Sequence, residues 1–254
     1  MKRLLSSFFI AFSMYSKIPM PKTDWSKENM KYSMCFFPLI GAVIGGVLAA
    51  FFCVVPPGGR EHALFTAVLV LIPVLITGGI HLDGLLDTAD ALSSYKPMEQ
   101  KLEILKDSHA GAFAIIVGIC YFVLTFGVYS EITIRTLPVI ALGFILSRAF
   151  SGLAIVSFRL AKNTGLAATF SDMAVKKTVR IVMIIYILLT AAAMIMVSPA
   201  YGATGSAAAL LVFAYYRHMS YRKFGGITGD LAGFFLQICE LAVALAVTCV
   251  SFIL

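Results

Sequence analysis

The chain has 254 residues, 60% of them apolar and 13% charged, with a mean hydropathy of +0.93. A soluble domain carries about twice that share of charge, so the composition excludes a soluble globular protein. At about 20 residues per span, the length is filled by roughly six to eight spans and leaves no separate extramembrane domain. The net charge of +7 is therefore read against a lipid bilayer, with no nucleic acid partner.

The first 17 residues place Lys2 and Arg3 ahead of Leu5, Phe8, Phe9 and Phe12, which repeat at helical spacing opposite Ser6, Ser13 and Lys17. No small-x-small cleavage site precedes Lys17, Pro19 and Pro21, so an interfacial amphipathic helix is expected and not a cleaved signal. Charge-free stretches follow at 33–57, 63–80, 110–130, 136–158 (interrupted by Arg148), 181–216 and 231–254 (interrupted by Glu240). As one straight helix the run 181–216 would be about 54 Å long against a hydrocarbon core of about 30 Å. It must fold back, and Ser198-Pro199-Ala200-Tyr201-Gly202 is the turn signal. The expectation is an all-α polytopic membrane protein, one domain over 1–254, with about seven transmembrane helices.

Lys and Arg number six in residues 1–32, three in 81–109, five in 159–180 and three in 217–230, so seventeen of twenty fall in alternate connections. The positive-inside rule then places the N-terminus and those four segments in the cytoplasm and the C-terminus outside. Arg148 lies 11 residues before Arg159 and Glu240 lies 10 after Asp230. Both thus sit about 15 Å below the cytoplasmic surface at helical rise, where they can pair or serve function. Gly41, Gly45 and Gly46 give the first span a small face for close helix packing. The five cysteines show no ligand spacing and read as packing residues. The histidines show no zinc-ligand spacing either.

Three segments carry chemistry. Gly78-Gly79-Ile80-His81-Leu82-Asp83-Gly84-Leu85-Leu86-Asp87-Thr88-Ala89-Asp90 stands at the cytoplasmic end of the second span. If it is helical from Asp83, the three carboxylates fall within about 60° of one another, with His81 on the opposite face. Such a face is stable when some acids are protonated or a cation sits among them, and oxygen-only ligands suit Mg²⁺ or Mn²⁺. The bland alternative is a solvated acidic helix start. In Glu103-Ile104-Leu105-Lys106-Asp107-Ser108-His109-Ala110-Gly111-Ala112, Asp107 and Ser108 stand where a helix N-terminus can receive an anion beside Lys106. In Arg222-Lys223-Phe224-Gly225-Gly226-Ile227-Thr228-Gly229-Asp230, glycine-rich backbone can cradle a phosphate and Asp230 can meet a metal. Two function classes follow: an enzyme transferring a phosphoryl-containing group at a divalent-cation site, or a cation- or proton-coupled transporter. Transporter sites favour the membrane midplane, whereas Asp83, Asp87, Asp90, Asp107 and Asp230 gather at one face.

The motifs at 78–90, 103–113 and 225–230, with Ser147-Arg148 and Lys17-Ile18-Pro19, resemble the cobalamin synthase (adenosylcobinamide-GDP ribazoletransferase) family over essentially the whole chain. The second motif departs from that family's common pattern at His109 and Ala114. The resemblance implies a transferase of vitamin B12 (cobalamin) biosynthesis in the cytoplasmic (inner) membrane of a prokaryote, its active site facing the cytoplasm. It implies Mg²⁺ as cofactor and transfer from adenosylcobinamide-GDP to α-ribazole or its 5′-phosphate, with release of GMP. Its implied roles are Asp83, Asp87, Asp90 and Asp107 in catalysis, and Asp83, Asp87, Asp90 and Asp230 at the metal. Substrate binding falls to His81, Lys106, Ser108, Arg148, Gly225, Gly226, Thr228 and Gly229. A wide cavity admitting the corrin ring is expected, and a homo-oligomer or association with other cobalamin-assembly enzymes is an implied partnership. A phosphotransferase acting on a nucleotide-activated lipid alcohol is the nearest alternative enzyme.

Overall fold

The computed structural model describes residues 2–107 and 109–254, and the described residues fold as thirteen α-helices with one short 3₁₀ turn. These are α1 (Lys2–Tyr15), α2 (Lys27–Met30), the 3₁₀ turn (Ser33–Phe36), α3 (Phe37–Val54), α4 (Pro57–Arg60) and α5 (Ala63–Thr77). Then come α6 (Ile80–Ser93), α7 (Met98–Ile104), α8 (Ala112–Ser130), α9 (Leu137–Ser157) and α10 (Leu166–Met173). The chain closes with α11 (Lys176–Val197), α12 (Pro199–Phe224) and α13 (Gly229–Ser251).

Five helical segments are long and apolar enough to cross a membrane: Lys27–Val54, Ala112–Ser130, Leu137–Ser157, Lys176–Val197 and Gly229–Ser251. The count rises to six if α5 and α6 together form one broken span. It falls short of the seven expected from the sequence for two physical reasons. The second apolar stretch ends as a helix at Thr77, and α12, although 26 residues long, is diluted by small and polar residues such as Gly202, Gly205 and Ser206. The fold-back lies where Pro and Gly place it: α11 stops at Val197, Ser198 caps α12, and Pro199 opens it. A β-carbon on Gly202 would collide with the Met194 backbone, so α11 and α12 pack almost backbone to backbone.

α9 is the central helix, with fifteen of its residues buried. Gly41 and Gly45 on α3 press against the backbones of Phe144 and Ala141, whereas Gly46 faces open space. Arg148 of α9 and Glu240 of α13 meet at 2.6 Å, and Ser147 Oγ donates to the same Glu240 oxygen at 3.1 Å. Equal depth along two helices thus became contact. Removing either partner alone would strand a buried charge.

The amphipathic helix α1 docks on protein as well as facing outward. Ile10 and Phe12 are buried, Phe8 meets Phe36 edge to face, and Tyr15 lies 4.5 Å from Phe37, while Leu4 and Leu5 stay half exposed. Beyond it, Lys17 N–H donates to the Ile76 carbonyl at 2.7 Å, and the Lys17 side chain covers Gly78.

Candidate active site

The site is built where α5 breaks. Gly78 and Gly79 both adopt left-handed backbone (φ 67° and 79°), which residues with a side chain rarely do. The chain turns by 95° into α6, which runs antiparallel to the first turns of α13, where Gly84 meets Asp230 and His81 meets Gly233, and of α8, where Asp90 meets Gly111 and Leu86 meets Gly118. In the sequence, all of α6 after Ile80 follows the charge-free stretch 63–80. It reaches the start of α13 without side chains between them: a β-carbon on Gly84 would stand 2.5 Å from the Asp230 carbonyl oxygen, and one on Gly233 would stand 2.9 Å from that of His81. These contacts bring two acids 147 positions apart to one place.

Asp83 and Asp230 both line a cavity of about 400 Å³, with His81, Lys106, Thr228 and Gly229 also in its wall. Thr228 caps α13 by accepting the Leu231 N–H at 3.2 Å and donates to Asp230 Oδ2 at 3.3 Å, which fixes that carboxylate. Gly229 presents open space where a side chain would stand. Asp87 lies one turn beyond Asp83. Burial first, then the Asp83, Asp230 and Asp90 carboxylates, pushes it up to about 7.

Asp90 is placed differently. Its two oxygens accept the N–H groups of Gly111 (2.6 Å) and Ala114 (2.8 Å), so it caps α8 and ties α6 to it. Asp107 stands in an exposed loop. Its Oδ1 accepts from the His109 N–H at 3.0 Å and meets the His109 ring at 2.7 Å, which holds its carboxyl below the usual range. Ser108 lies outside the described residues. Gly225, left-handed at φ 75°, ends α12, and Gly226 leaves room for the backbone of residues 159–161, where Leu160 and Ile227 form a parallel bridge. Neither glycine lines the cavity. Nor does Arg148, which is fully buried against Glu240. His81 does not turn away from the acids' cavity: it is 4% exposed and shares the wall with Asp83.

Among the cavity residues that no motif marks are Lys162 and Tyr15. Lys162 donates to the Leu102 carbonyl at 2.5 Å, and burial, followed by the nearby Lys106 charge, pulls its ammonium down. Tyr15 stacks on His81 at 6.0 Å with ring planes 16° apart. Neither belongs to a motif, and only the fold carries them to the site.

The wall therefore combines carboxylate oxygens, two ammonium groups and an apolar interior. Among the described residues no three His, Cys, Asp or Glu side chains close on one point, so a complete protein cage for a cation is not formed. Mg²⁺ takes one or two carboxylates, waters and substrate phosphate oxygens. The oxygen-only pair Asp83 and Asp230, with Asp87 beside it, fits that demand.

The chain matches the family model described as cobalamin-5-phosphate synthase over residues 7–248. It is 51% identical to adenosylcobinamide-GDP ribazoletransferase of Lachnoclostridium phytofermentans over 243 residues, covering 96% of this chain and 93% of that one. Proteins of the same name are 33% identical in Clostridium botulinum (95% and 96% covered) and 31% identical in a Geobacillus species (94% of each). No solved structure matches the chain.

Proposed function

The chain belongs to the cobalamin-5-phosphate synthase family, and from that membership we propose that it carries out the reaction for which its relatives are named. It transfers the adenosylcobinamide-phosphate group from adenosylcobinamide-GDP to α-ribazole or its 5′-phosphate, as the last assembly step of cobalamin synthesis. A ribazole hydroxyl forms a bond to the cobinamide-linked phosphorus, the bond from that phosphorus to the bridging diphosphate oxygen breaks, GMP leaves, and the hydroxyl proton passes to a carboxylate of the rim. The observation that carries this reading is the meeting of Asp83 and Asp230 in the wall of one cavity beside Lys106 and Lys162.

In this reading Asp83 and Asp230 would hold Mg²⁺, with Asp87 beside them. Bound there, the ion supplies neutralisation of the diphosphate charge. Lys106 and Lys162 steady phosphate oxygens, and Gly229 lets substrate approach the backbone. Thr228 fixes the Asp230 carboxylate, and Gly84 and Gly233 set the spacing of the two acid-bearing helices. Asp90 positions α6 and needs no contact with substrate.

The protein is read as multi-pass in a prokaryotic cytoplasmic membrane, the site facing the cytoplasm. The Gly78 end of α5, the Gly111 end of α8, the Phe158 end of α9 and the Ile227 start of α13 meet around the site. The segments holding seventeen of the twenty bases join the helices there. That supports a cytoplasmic N-terminus and α12 as a seventh crossing.

The test is reconstitution in lipid vesicles with adenosylcobinamide-GDP and α-ribazole. Formation of adenosylcobalamin that needs both substrates and no ion gradient is expected. Gradient-driven solute uptake without product would replace the transferase with a transporter.

A further inference from the structure

Two unlike sets of residues line the cavity. Asp83, Asp230, Lys106 and Lys162 are the charged set, while Tyr15, Phe37 and His81 form an aromatic wall, with Met34, Ile155 and Leu236 also lining the cavity. The three rings support one another: Tyr15 lies 4.5 Å from Phe37, and His81 lies 6.0 Å from each. Within this apolar wall both His81 ring nitrogens are without a hydrogen-bond partner among the described residues, although the residue is 4% exposed. Buried polar groups are normally paired, so a lone imidazole in the wall of a cavity marks a place where a ligand supplies the partner.

Size narrows the ligand. About 400 Å³ is at the small end of the range that encloses a drug-sized molecule, roughly 300–1,000 Å³. It can hold a nucleoside but not a corrin macrocycle, contrary to the wide cavity expected from the sequence. Polarity narrows it again. A guanine edge carries several donors and acceptors that would need partners in this wall, whereas a benzimidazole joined to ribose has one unsubstituted ring nitrogen and an otherwise apolar surface.

Resting on the transferase reading above, we propose that the cavity seats the benzimidazole base of ribazole against Tyr15 and Phe37. His81 donates a hydrogen bond to the free ring nitrogen, and the corrinoid stays outside the cavity mouth. The ribose hydroxyls then point toward Asp83 and Asp230, where the bond to phosphorus forms. His81 is a binding residue for the smaller substrate and takes no part in proton transfer.

The experiment compares α-ribazole with the corresponding indole riboside, which has the same outline but carries C–H in place of the free ring nitrogen. Binding of each to purified protein is measured by equilibrium dialysis, together with KM for both substrates. α-Ribazole is expected to bind the unaltered protein about tenfold more tightly than the indole analogue, the effect of one hydrogen bond. His81→Phe should bind both alike, with KM raised for α-ribazole and unchanged for adenosylcobinamide-GDP. Equal binding of the two ribosides by unaltered protein would overturn the proposal, as would displacement of ribazole by GMP or a KM rise confined to adenosylcobinamide-GDP. Failure of the transferase reading is separately visible, as absence of turnover in protein that binds α-ribazole.

Discussion

Gly84 rests directly on the backbone of Asp230, close enough that a β-carbon at 84 would fall 2.5 Å from the Asp230 carbonyl oxygen. Backbone cannot yield as a flexible side chain can, so Gly84→Ala must part α6 from α13 and separate Asp83 from Asp230. Overpacking of this kind costs about 1–3 kcal/mol. The variant should insert into membranes with a lowered thermal midpoint and lose most turnover. Gly46→Ala, on a glycine with nothing within 4 Å, should change neither. Full activity in Gly84→Ala would show that this contact does not set the site.

Asp90 separates structure from chemistry. Its carboxylate caps α8 through Gly111 and Ala114, so Asp90→Ala should cost about 0.5–2 kcal/mol of stability. Asp90→Asn, which keeps one acceptor, should cost less. Thermal unfolding in detergent, read beside kcat, tests the division: a loss of kcat with no fall in midpoint would place Asp90 among the reacting groups.

The Arg148–Glu240 pair predicts a double-mutant cycle. Arg148→Ala leaves the Glu240 charge buried and should cost about 3–5 kcal/mol. Replacing both residues with Met should recover part of that loss. Additive losses would mean that the 2.6 Å contact contributes no coupling.

The acid Asp87, raised to about 7, gives a pH dependence. A carboxyl must lose its proton to bind a cation, so proton and Mg²⁺ compete, and the proton wins increasingly as the pH falls through that value. The Mg²⁺ concentration for half-maximal turnover should be higher near pH 6 than near pH 8 (about one unit either side). Asp87→Asn should flatten this dependence. Equal requirements at the two pH values in unaltered protein would exclude Asp87 from the cation's surroundings.

Much of this was legible because bilayers punish error. The charge-free stretches, the fold-back at Pro199, the equal depth of Arg148 and Glu240 and the grouping of Asp83 with Asp230 at one face all follow from the cost of burying charge or unpaired backbone. Less legible were features set by tertiary contact. Asp90 shares a helical face with Asp83 and Asp87 in the sequence, yet is drawn off by the open end of α8. α1 has the pattern of a lipid-facing helix, but Phe8, Phe12 and Tyr15 find protein to cover. Lys162 stands in a loop with no motif, and its place in the cavity depends on the Leu160–Ile227 bridge. The span count differed because hydropathy reads α12 by its small residues, while its packing against α11 depends on those same residues.

In the proposed reaction the carboxylates brought together by α6 and α13 carry a cation-dependent transfer that releases GMP. The most direct measurement is GMP release by purified protein given adenosylcobinamide-GDP and α-ribazole, with Mg²⁺ and with chelator, in the unaltered chain, Asp83→Asn and Asp230→Asn. The expected result is ribazole-dependent release that the chelator stops and that each substitution lowers by about 100-fold or more, with the variants still folded. Release that persists in chelator, or survives both substitutions, would contradict it.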